Sequence, residues 1–558
     1  MPPSIRSPWA WAKASLARVA SEPANERVLG YAPGSAERAA LRVEIARQRA
    51  TPVFAPLRIA GEERGAGAPT PIRSPQCHAL ELGEYATATR SDVRRAIEAA
   101  LSARGGWAAR DQASRSAIFS RAAELLAGPW RQRLNAATLL GQSKTPHQAE
   151  IDSACELIDF LRFNVYFAER LAAEGLHSAP GERNQLDFRP LEGFVYAVTP
   201  FNFTAIAGNL PSVPALLGNV VVWKPSPHAM LAAHHIYELL REAGLPDGVI
   251  NLVAGDALEI SDEVLLHKEL GGIHFTGSSA VFEDLSQRVA QGLSGYRNYP
   301  RLIGETGGKN AIIAHPSAEL DALAVAVLRG GFEYQGQKCS AASRIYVPRS
   351  LARGLEDRLR AWLPQVKVGD PADFSCFMGA VIARHAYDRI TAAIERARGD
   401  SSCRLVWGGG ASDSEGFFIE PTLFEVHSPR HPLLTEELFG PVVGMFVYDD
   451  DRYEDVLATA DSSTSYGLTS AIFARDRAAI ELASRALRYT AGNFYINDKP
   501  TGAVVGQQPF GGARHSGTND KAGAGFHLFR WLSPRVIKEN FRPPTDFRYP
   551  FLAPDRDA

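Results

Sequence analysis

One cysteine and one glutamate, Cys339 and Glu305, have the residue types and surroundings that could perform chemistry together. Cys339 follows Lys338, and Glu305 lies 34 residues earlier in a glycine-rich turn, 304–309. A thiol is an effective nucleophile only as the thiolate, which a neighbouring cation such as Lys338 would favour. Glu305 would then act as a general base. The pair predicts nucleophilic catalysis, against the plainer alternative of a small buried thiol.

The elements that must position these residues follow from the apolar spacing. Stretches with helical periodicity alternate with short β-branched runs that end in Gly or Pro. The predicted helices are 91–103, 114–126, 150–170 and 228–243, and the predicted strands are 219–223, 249–253, 311–314 and 345–347. This alternation predicts an α/β fold with a largely parallel sheet.

Length and composition exclude several classes of protein. A chain of 558 residues exceeds what one core supports, so two or more domains with a cleft are expected. A formal net charge of -2 argues against a nucleic-acid partner. Five scattered cysteines without a CxxC pair predict neither a disulfide framework nor a metal site.

Two segments bear on membranes and targeting. The segment 193–223 carries no formal charge, but prolines such as Pro211 and Pro214 predict buried strand and loop structure there, and no membrane span. The first twenty residues lack acidic side chains and contain Arg6, Lys13 and Arg18, which weakly resembles a transit peptide. The expected compartment is the mitochondrial matrix if it is one, and a bacterial cytoplasm otherwise.

Two turns have the properties of a nucleotide site. Lys224 and Ser226 follow a predicted strand, and ligands of open α/β sheets bind at the carboxyl ends of strands. A solvated surface lysine is the alternative for Lys224. Gly277 lies in a second turn of this kind, where a glycine lets backbone approach a cofactor closely.

Taken together, the motifs resemble the aldehyde dehydrogenase superfamily. They occur in the order typical of that family, across more than three hundred residues: Thr199-Pro200-Phe201-Asn202-Phe203, Trp223-Lys224-Pro225-Ser226, Phe275-Thr276-Gly277-Ser278, Gly304-Glu305-Thr306-Gly307-Gly308-Lys309, Gly336-Gln337-Lys338-Cys339, Glu436-Glu437-Leu438-Phe439-Gly440-Pro441 and Pro509-Phe510-Gly511-Gly512. The resemblance implies an aldehyde dehydrogenase fold with three parts. These are a Rossmann-like NAD-binding domain (1–169 and 192–307), an α/β catalytic domain (308–515), and a small β oligomerisation flap with the C-terminal tail (170–191 and 530–558).

The resemblance also implies a role for each motif residue. Cys339 is the expected nucleophile, Asn202 and the N–H of Cys339 the expected oxyanion donors, and Glu305 the base that activates water to hydrolyse a thioester. NAD is the implied cofactor. Its expected contacts are Thr199, Lys224, Ser226, Gly277, Ser278, Ser279, Ala280, Val281, Glu437 and Phe439. Phe282 replaces a glycine that the family has in the phosphate turn.

Within the family, runs such as 148–152 and 492–512 resemble members that oxidise glutamate semialdehyde during proline breakdown. The implied substrate contacts are Ser340, Gly502, Ala503, Phe201 and Phe510, with Glu150 closing the entrance. The implied partners are further copies of the chain, as a homodimer or larger assembly, and a separate proline dehydrogenase. Another semialdehyde dehydrogenase, such as one acting on succinate semialdehyde, is the nearest alternative. A catalytically silent scaffold is the other, although Asn202, Glu305 and Cys339 are all present.

Overall fold

The computed structural model describes residues 21–65 and 68–554, so the transit-peptide prediction for the first twenty residues lies outside the described chain. Helices surround two seven-stranded sheets. The α-helices are Ala36–Ala50, Arg90–Ala108, Gln112–Ala127, Arg131–Gln142, Pro146–Ala149, Glu156–Ala172, Thr204–Leu216, Met230–Glu242, Ala257–Leu265, Ser279–Gln291, Leu320–Phe332, Arg349–Trp362, Arg384–Arg398, Pro432–Thr435, Tyr453–Ser462 and Arg477–Ala486. The predicted α/β class is confirmed.

The first sheet gathers four of the predicted site segments at one edge. Its strands are, in spatial order, Arg301–Glu305, Leu270–Thr276, Phe194–Thr199, Val221–Pro225, Ile250–Leu252, Leu57–Ile59 and Glu62–Arg64. The first five run parallel. In register, Thr199 lies opposite Pro225 and Thr276 opposite Glu305, so the carboxyl ends of these strands lie side by side.

The second sheet carries the cysteine loop. Its strands are, in spatial order, Cys403–Trp407, Thr422–Val426, Val442–Tyr448, Ala342–Pro348, Asn310–Ala314, Thr469–Phe473 and Asn493–Ile496. All neighbours are parallel except the outermost pair at Cys403–Trp407. Residues 306–309 connect the strand ending at Glu305 to the strand starting at Asn310, so the glycine-rich turn joins the two sheets.

The expectation of strand and loop across 193–223 is wrong in its middle, which forms the buried helix Thr204–Leu216 with Pro211 and Pro214 inside it. A proline has no N–H, so Pro214 cannot bond the carbonyl of Leu210. The imidazole Nδ1 of His274 donates to that carbonyl instead, at 2.9 Å. A side chain from the neighbouring strand thus satisfies the group that the proline leaves free.

The predicted helix 150–170 is correct with one refinement. It begins with a π turn, Glu150–Cys155, before the α-helix Glu156–Ala172. The remaining strands form small sheets: Val53–Ala55 with Cys77–Tyr85 and Thr70–Ser74, Glu182–Pro190 with Leu532–Asn540, Ala411–Ser412 with Phe418–Ile419, and Tyr466–Gly467 with Ala513–Arg514. Among the described residues, no helix combines the length and apolar character needed to cross a bilayer.

Candidate active site

Cys339 follows a tightly turned loop. Tyr334, Gln335 and Gly336 all have left-handed backbone, with φ of 53°, 55° and 65°. The Cys339 carbonyl accepts a hydrogen bond from Asn310 Nδ2 at 2.6 Å. A Cβ on Gly308 would lie 2.2 Å from the same carbonyl oxygen. The glycine-rich turn therefore packs directly against the backbone of the cysteine, closer than any other residue type would allow.

The thiol of Cys339 is partly exposed, and its surroundings disfavour the charged form. Burial and the nearby carboxylates of Glu305 and Glu437 raise its pKa. The predicted help from Lys338 is absent, because its ammonium points to Asp152 at 3.5 Å and Glu333 at 3.9 Å. The interpretation of Lys338 as an activating neighbour is therefore wrong: adjacency in sequence did not bring its charge to the sulfur.

Asn202 is attached to the cysteine loop. It is 4% exposed, and its Nδ2 donates to the Gln337 carbonyl at 3.0 Å. A side-chain amide has two N–H donors. The second makes no hydrogen bond to any described residue, which leaves one fixed donor available to a ligand beside Cys339.

Glu305 ends a strand of the first sheet and contacts a loop next to the second. Its carboxylate accepts from the N–H of Gly512 at 3.2 Å. Burial raises its pKa well above the ordinary value, opposed by the Gly512 hydrogen bond and the charge of Lys521. The Lys521 ammonium donates to the carbonyls of Gly492 and Gly511, at 2.7 and 2.8 Å, so it fixes that loop. Sequence reasoning missed Lys521.

The residues predicted to contact a ribose lie at the carboxyl ends of two neighbouring strands of the first sheet. Thr199 accepts from Trp223 Nε1 at 3.0 Å through its hydroxyl, and from Ser226 N at 3.0 Å through its carbonyl. Lys224 is only 8% exposed, and burial lowers its pKa. Its ammonium makes no hydrogen bond or ion pair with any described residue. A nearly buried cation without a partner fits a ligand that brings hydroxyl oxygens.

The second turn starts a helix. Ser278 caps Ser279–Gln291 by accepting from Val281 N, and Val281 is 48% exposed, as expected at an open helix end. Ser279 Oγ lies 3.4 Å from Gly307 N, which ties the turn to the glycine-rich segment. The turn residues brought together here are Gly277, Ser278, Ser279, Ala280 and Val281. Phe282, which departs from the family pattern, stacks on Phe275 at 5.5 Å and occupies the space beside Gly304.

Glu437 lies across the glycine-rich turn, where it accepts from Gly308 N at 2.7 Å. Burial raises its pKa. Phe439, two residues on, packs edge-on against Phe201 at 6.0 Å. Phe201 also contacts His228, so its ring packs between that imidazole and the predicted cofactor residue Phe439. Phe203 is the aromatic nearer the cysteine loop, with the Lys338 ammonium 6.0 Å from its ring.

A polar turn, 501–503, contacts Ser340, the residue that follows the cysteine. Ser340 is 4% exposed, and its Oγ donates to Thr501 Oγ1 at 3.0 Å. The turn continues through Gly502, whose φ is 89°, and Ala503. The Lys499 ammonium donates to the Thr501 carbonyl at 3.0 Å, a cation that sequence reasoning did not identify. Phe510, half-buried, is held by paired backbone hydrogen bonds to Ala522.

The prediction that Glu150 closes the entrance is not supported by its surroundings. Glu150 is fully buried, at 0% exposure, in an ion pair with Arg131. It also accepts from Tyr31 Oη at 2.7 Å and Asn135 Nδ2 at 2.8 Å. A carboxylate with this many internal donors is a structural anion, and the charged guanidinium explains its burial.

Elsewhere, one group of described residues has the spacing of metal ligands: Asp400, Cys403 and His431. The His431 Nδ1 accepts from Leu433 N at 3.1 Å, so in the neutral ring the proton is on Nε2. That nitrogen faces Cys403 and Asp400, at 3.2 and 3.3 Å. A protonated nitrogen cannot ligate a metal, so the group is better described as a hydrogen-bonded cluster.

Comparisons with known proteins identify the family to which the chain belongs. A profile of the Aldehyde dehydrogenase family matches residues 63–533. The mitochondrial delta-1-pyrroline-5-carboxylate dehydrogenase of Mus musculus is 47% identical over 97% of this chain and 96% of its own. The NAD-bound crystal structure of the corresponding Mycobacterium tuberculosis enzyme is 51% identical, with a TM-score of 0.92 over 95% of this chain and 98% of its own. Proline utilization A from Bdellovibrio bacteriovorus is 31% identical, with a TM-score of 0.89 over 93% of this chain and 53% of its own. The chain belongs to the aldehyde dehydrogenase family.

Proposed function

We propose that this protein oxidises L-glutamate γ-semialdehyde, the open form of 1-pyrroline-5-carboxylate, to L-glutamate in proline breakdown, with NAD as the hydride acceptor. The observation that carries this proposal is the contact between Ser340, the residue after Cys339, and the polar turn 501–503. The chain is also similar over nearly its whole length to enzymes named for that reaction. A simple aliphatic aldehyde would leave that turn without a polar partner.

In the first half of the reaction, the Cys339 thiol gives up its proton to water, and the thiolate bonds to the aldehyde carbon, so that the carbonyl oxygen becomes an oxyanion. The free N–H of Asn202 and the backbone N–H of Cys339 donate to that oxygen. Such preorganised donors are worth about 3–4 kcal/mol each in the transition state. NAD, when bound, accepts the hydride that leaves the former aldehyde carbon. A thioester on Cys339 remains.

In the second half, Glu305 takes a proton from water, which attacks the thioester and releases glutamate and the thiol. The raised pKa of Glu305 makes its carboxylate a stronger base than an exposed glutamate. Because burial and the carboxylates of Glu305 and Glu437 raise the pKa of Cys339, ionisation of the thiol needs help from its surroundings. A cationic ligand beside the sulfur would lower that pKa.

The chain offers a coherent set of groups for NAD. Lys224 has a free, nearly buried ammonium for ribose hydroxyls, and the open end of helix Ser279–Gln291 suits a phosphate. On the other side, Glu437 faces the glycine-rich turn, where a Cβ on Gly307 would lie 2.5 Å from its carboxylate. We assign Glu437 to the nicotinamide ribose, with Phe439 and Thr199 beside it.

The substrate's amino-acid head group requires donors for its carboxylate. We assign this role to the Ser340 hydroxyl and the backbone N–H groups of Gly502 and Ala503, since successive backbone N–H groups in a turn bind anions. Phe510 would pack against the aliphatic stem. Phe203 replaces Phe201 in our proposal as the second aromatic, because Phe201 contacts the cofactor-side ring of Phe439.

We further propose the domain division 1–169 with 192–307, 308–515, and 170–191 with 530–558. The antiparallel pair Glu182–Pro190 and Leu532–Asn540, with Val536 62% exposed, supports an oligomerisation flap in a homodimer or larger assembly. A separate proline dehydrogenase is the proposed partner enzyme. The Mus musculus relative is named mitochondrial. The proposed compartment of this chain is the mitochondrial matrix if the N-terminal segment is a transit peptide, and a bacterial cytoplasm otherwise.

The test is NADH formation with 1-pyrroline-5-carboxylate, succinate semialdehyde and propanal. We expect a clear preference for the first, no turnover with Cys339→Ala, and unchanged turnover with Cys403→Ala, a matched control on an outer strand. Equal kcat/KM for all three substrates would disprove the substrate assignment while leaving the chemistry at Cys339 intact.

A further inference from the structure

A buried ion cluster packs against the Cys339 loop. The Asp152 carboxylate contacts the ammonium groups of Lys144 and Lys338, the second at 3.5 Å. The side chains of Asp152, Lys144 and Lys338 are 6%, 0% and 2% exposed. Burial opposes ionisation of Asp152, yet the two lysines hold its pKa below the ordinary value, which favours the charged form. None of these side chains is used in the chemistry proposed above.

Asp152 lies inside the π turn Glu150–Cys155. Directly after this turn, the N–H of Glu156 donates to the carbonyl of Ile151, five residues earlier. One extra residue in a turn changes the direction of the following side chains by about 100° relative to a continuous α-helix. Such turns are frequent at functional sites.

The lysines follow two segments of unfavourable backbone. Ser143, just before Lys144, has φ 59°, and Tyr334 and Gln335, shortly before Lys338, have φ 53° and 55°. Left-handed backbone persists in such residues only where the surroundings hold it. The Gln335 amide donates to the Ser143 carbonyl at 3.1 Å, so the two segments are also bonded to each other.

The lysines of the cluster connect it to both oxyanion donors. Lys338 immediately precedes Cys339, and Phe203 immediately follows Asn202. The Lys144 ammonium lies 4.3 Å from the centroid of the Phe203 ring, within cation–π range. One cluster therefore contacts the neighbour of each donor.

We propose that Asp152 is a positioning residue for the oxyanion site: by holding Lys144 and Lys338 together, it fixes the Cys339 loop relative to the turn that carries Asn202. Asp152 acts through these residues and contacts neither substrate nor cofactor. The inference rests on the proposed role of Cys339 as nucleophile and is independent of which aldehyde is oxidised.

The first test compares Asp152→Asn with Glu156→Gln. Glu156 is the matched control, because it is a carboxylate four residues from Asp152 that makes no hydrogen bond or ion pair with Lys144 or Lys338. We expect Asp152→Asn to lower kcat at least about tenfold with KM for NAD changed less than about twofold, and Glu156→Gln to change neither. In an Asp152→Asn background, Asn202→Ala should cost much less than it does alone, since both act on one oxyanion. Effects that multiply fully would overturn the proposal.

A second variant covers the outcome that Asp152→Asn fails to fold. Asp152→Asn combined with Lys144→Met removes one charge of each sign, and the same loss of kcat and the same coupling to Asn202 are expected. An activity-independent measurement is the rate of Cys339 alkylation by iodoacetamide, followed by mass spectrometry. It should change at least about threefold in both Asp152 variants and not in Glu156→Gln. An unchanged rate contradicts the proposal even if no substrate is turned over, whereas absent wild-type turnover contradicts only the proposed function.

Discussion

Glu305 and Asp152 are carboxylates on two sides of the Cys339 loop, and their surroundings move their pKa values in opposite directions. Burial dominates at Glu305, whose only direct hydrogen-bond donor among the described residues is the N–H of Gly512. At Asp152, two lysines outweigh burial. The difference separates two uses of one residue type. A carboxylate that must accept a proton is kept away from direct cation contact, and a carboxylate that must stay charged is enclosed by cations.

The largest expected effect comes from removing the base. Glu305→Gln should lower steady-state turnover by about 10²- to 10⁴-fold, because general-base catalysis of thioester hydrolysis is lost. Hydride transfer should persist, so rapid-quench kinetics should show one burst of NADH per site, and mass spectrometry should show the acyl group on Cys339. Asp152→Asn should show no such accumulation. Acyl-enzyme in both variants, or in neither, would remove the distinction between the two carboxylates.

Stability should separate the same pair. Asp152→Asn leaves the buried Lys144 ammonium without its one ion-pair partner among the described residues, a change that costs about 3–5 kcal/mol in other proteins. Glu305 has a raised folded pKa, so the folded protein loses stability as pH rises from its unfolded value, about 4.3, through the folded value. Glu305→Gln should therefore be as stable as wild type or more so at pH 8.

The reverse holds for the depressed pKa of Asp152. Its contribution is present above the unfolded value of about 3.9 and is lost as pH falls through the lower folded value. Urea midpoints of wild type and both variants at pH 8 test the contrast. Asp152→Asn is expected to have the lower urea midpoint, so a lower midpoint for Glu305→Gln would contradict the predicted difference in stability.

The acidic limb of the pH dependence of turnover should report Glu305 and not Asp152. Because the base must be ionised, kcat should rise by about tenfold per pH unit below the raised pKa of Glu305 and level off above it. Asp152 stays ionised across that range. The profile should therefore keep its shape in Glu156→Gln and lose the acidic limb in Glu305→Gln. An acidic limb that survives in Glu305→Gln would assign it to another group.

The smallest expected effect concerns the residue beside the nucleophile. Ser340→Ala removes a hydroxyl that we assign to the substrate carboxylate, and a hydrogen bond to a charged group contributes about 1.5–3 kcal/mol. The kcat/KM for 1-pyrroline-5-carboxylate should fall about tenfold or more, with little change for propanal. Equal losses for both substrates would show that Ser340 acts by orienting Cys339.

The sequence was sufficient to predict those features of the site that depend on where the strands end. Parallel strands that end together bring Thr199, Lys224, Gly277 and Glu305 to one edge, and the motif order predicts Cys339 as the nucleophile, a role that stays a prediction. The failures concern where side chains point. Lys338 adjoins Cys339 in sequence, but its ammonium goes to a carboxylate on another helix. Glu150 was expected to close the entrance. Instead it forms a buried ion pair with Arg131, which lies outside the predicted helices and strands.

The prediction for the segment that forms helix Thr204–Leu216 was wrong for a different reason. Pro211 and Pro214 correctly indicate lost hydrogen bonds, and local rules then favour a loop. The partner that restores one of those bonds, His274, lies about sixty residues further along the chain and meets Leu210 only after the sheet has formed. A tertiary contact thus overrode a correct local signal, and no pattern within the segment could have revealed it.

The π turn at Glu150–Cys155 makes the length of this segment as important as its residue types. Deleting any one residue there would let ordinary α-helix run through, and every following side chain up to Ala172 would face about 100° away from its present direction. Buried Leu157, Ile158 and Phe160 would leave the core together. Relatives of this protein can therefore be expected to vary in residue type along the helix while keeping its residue count.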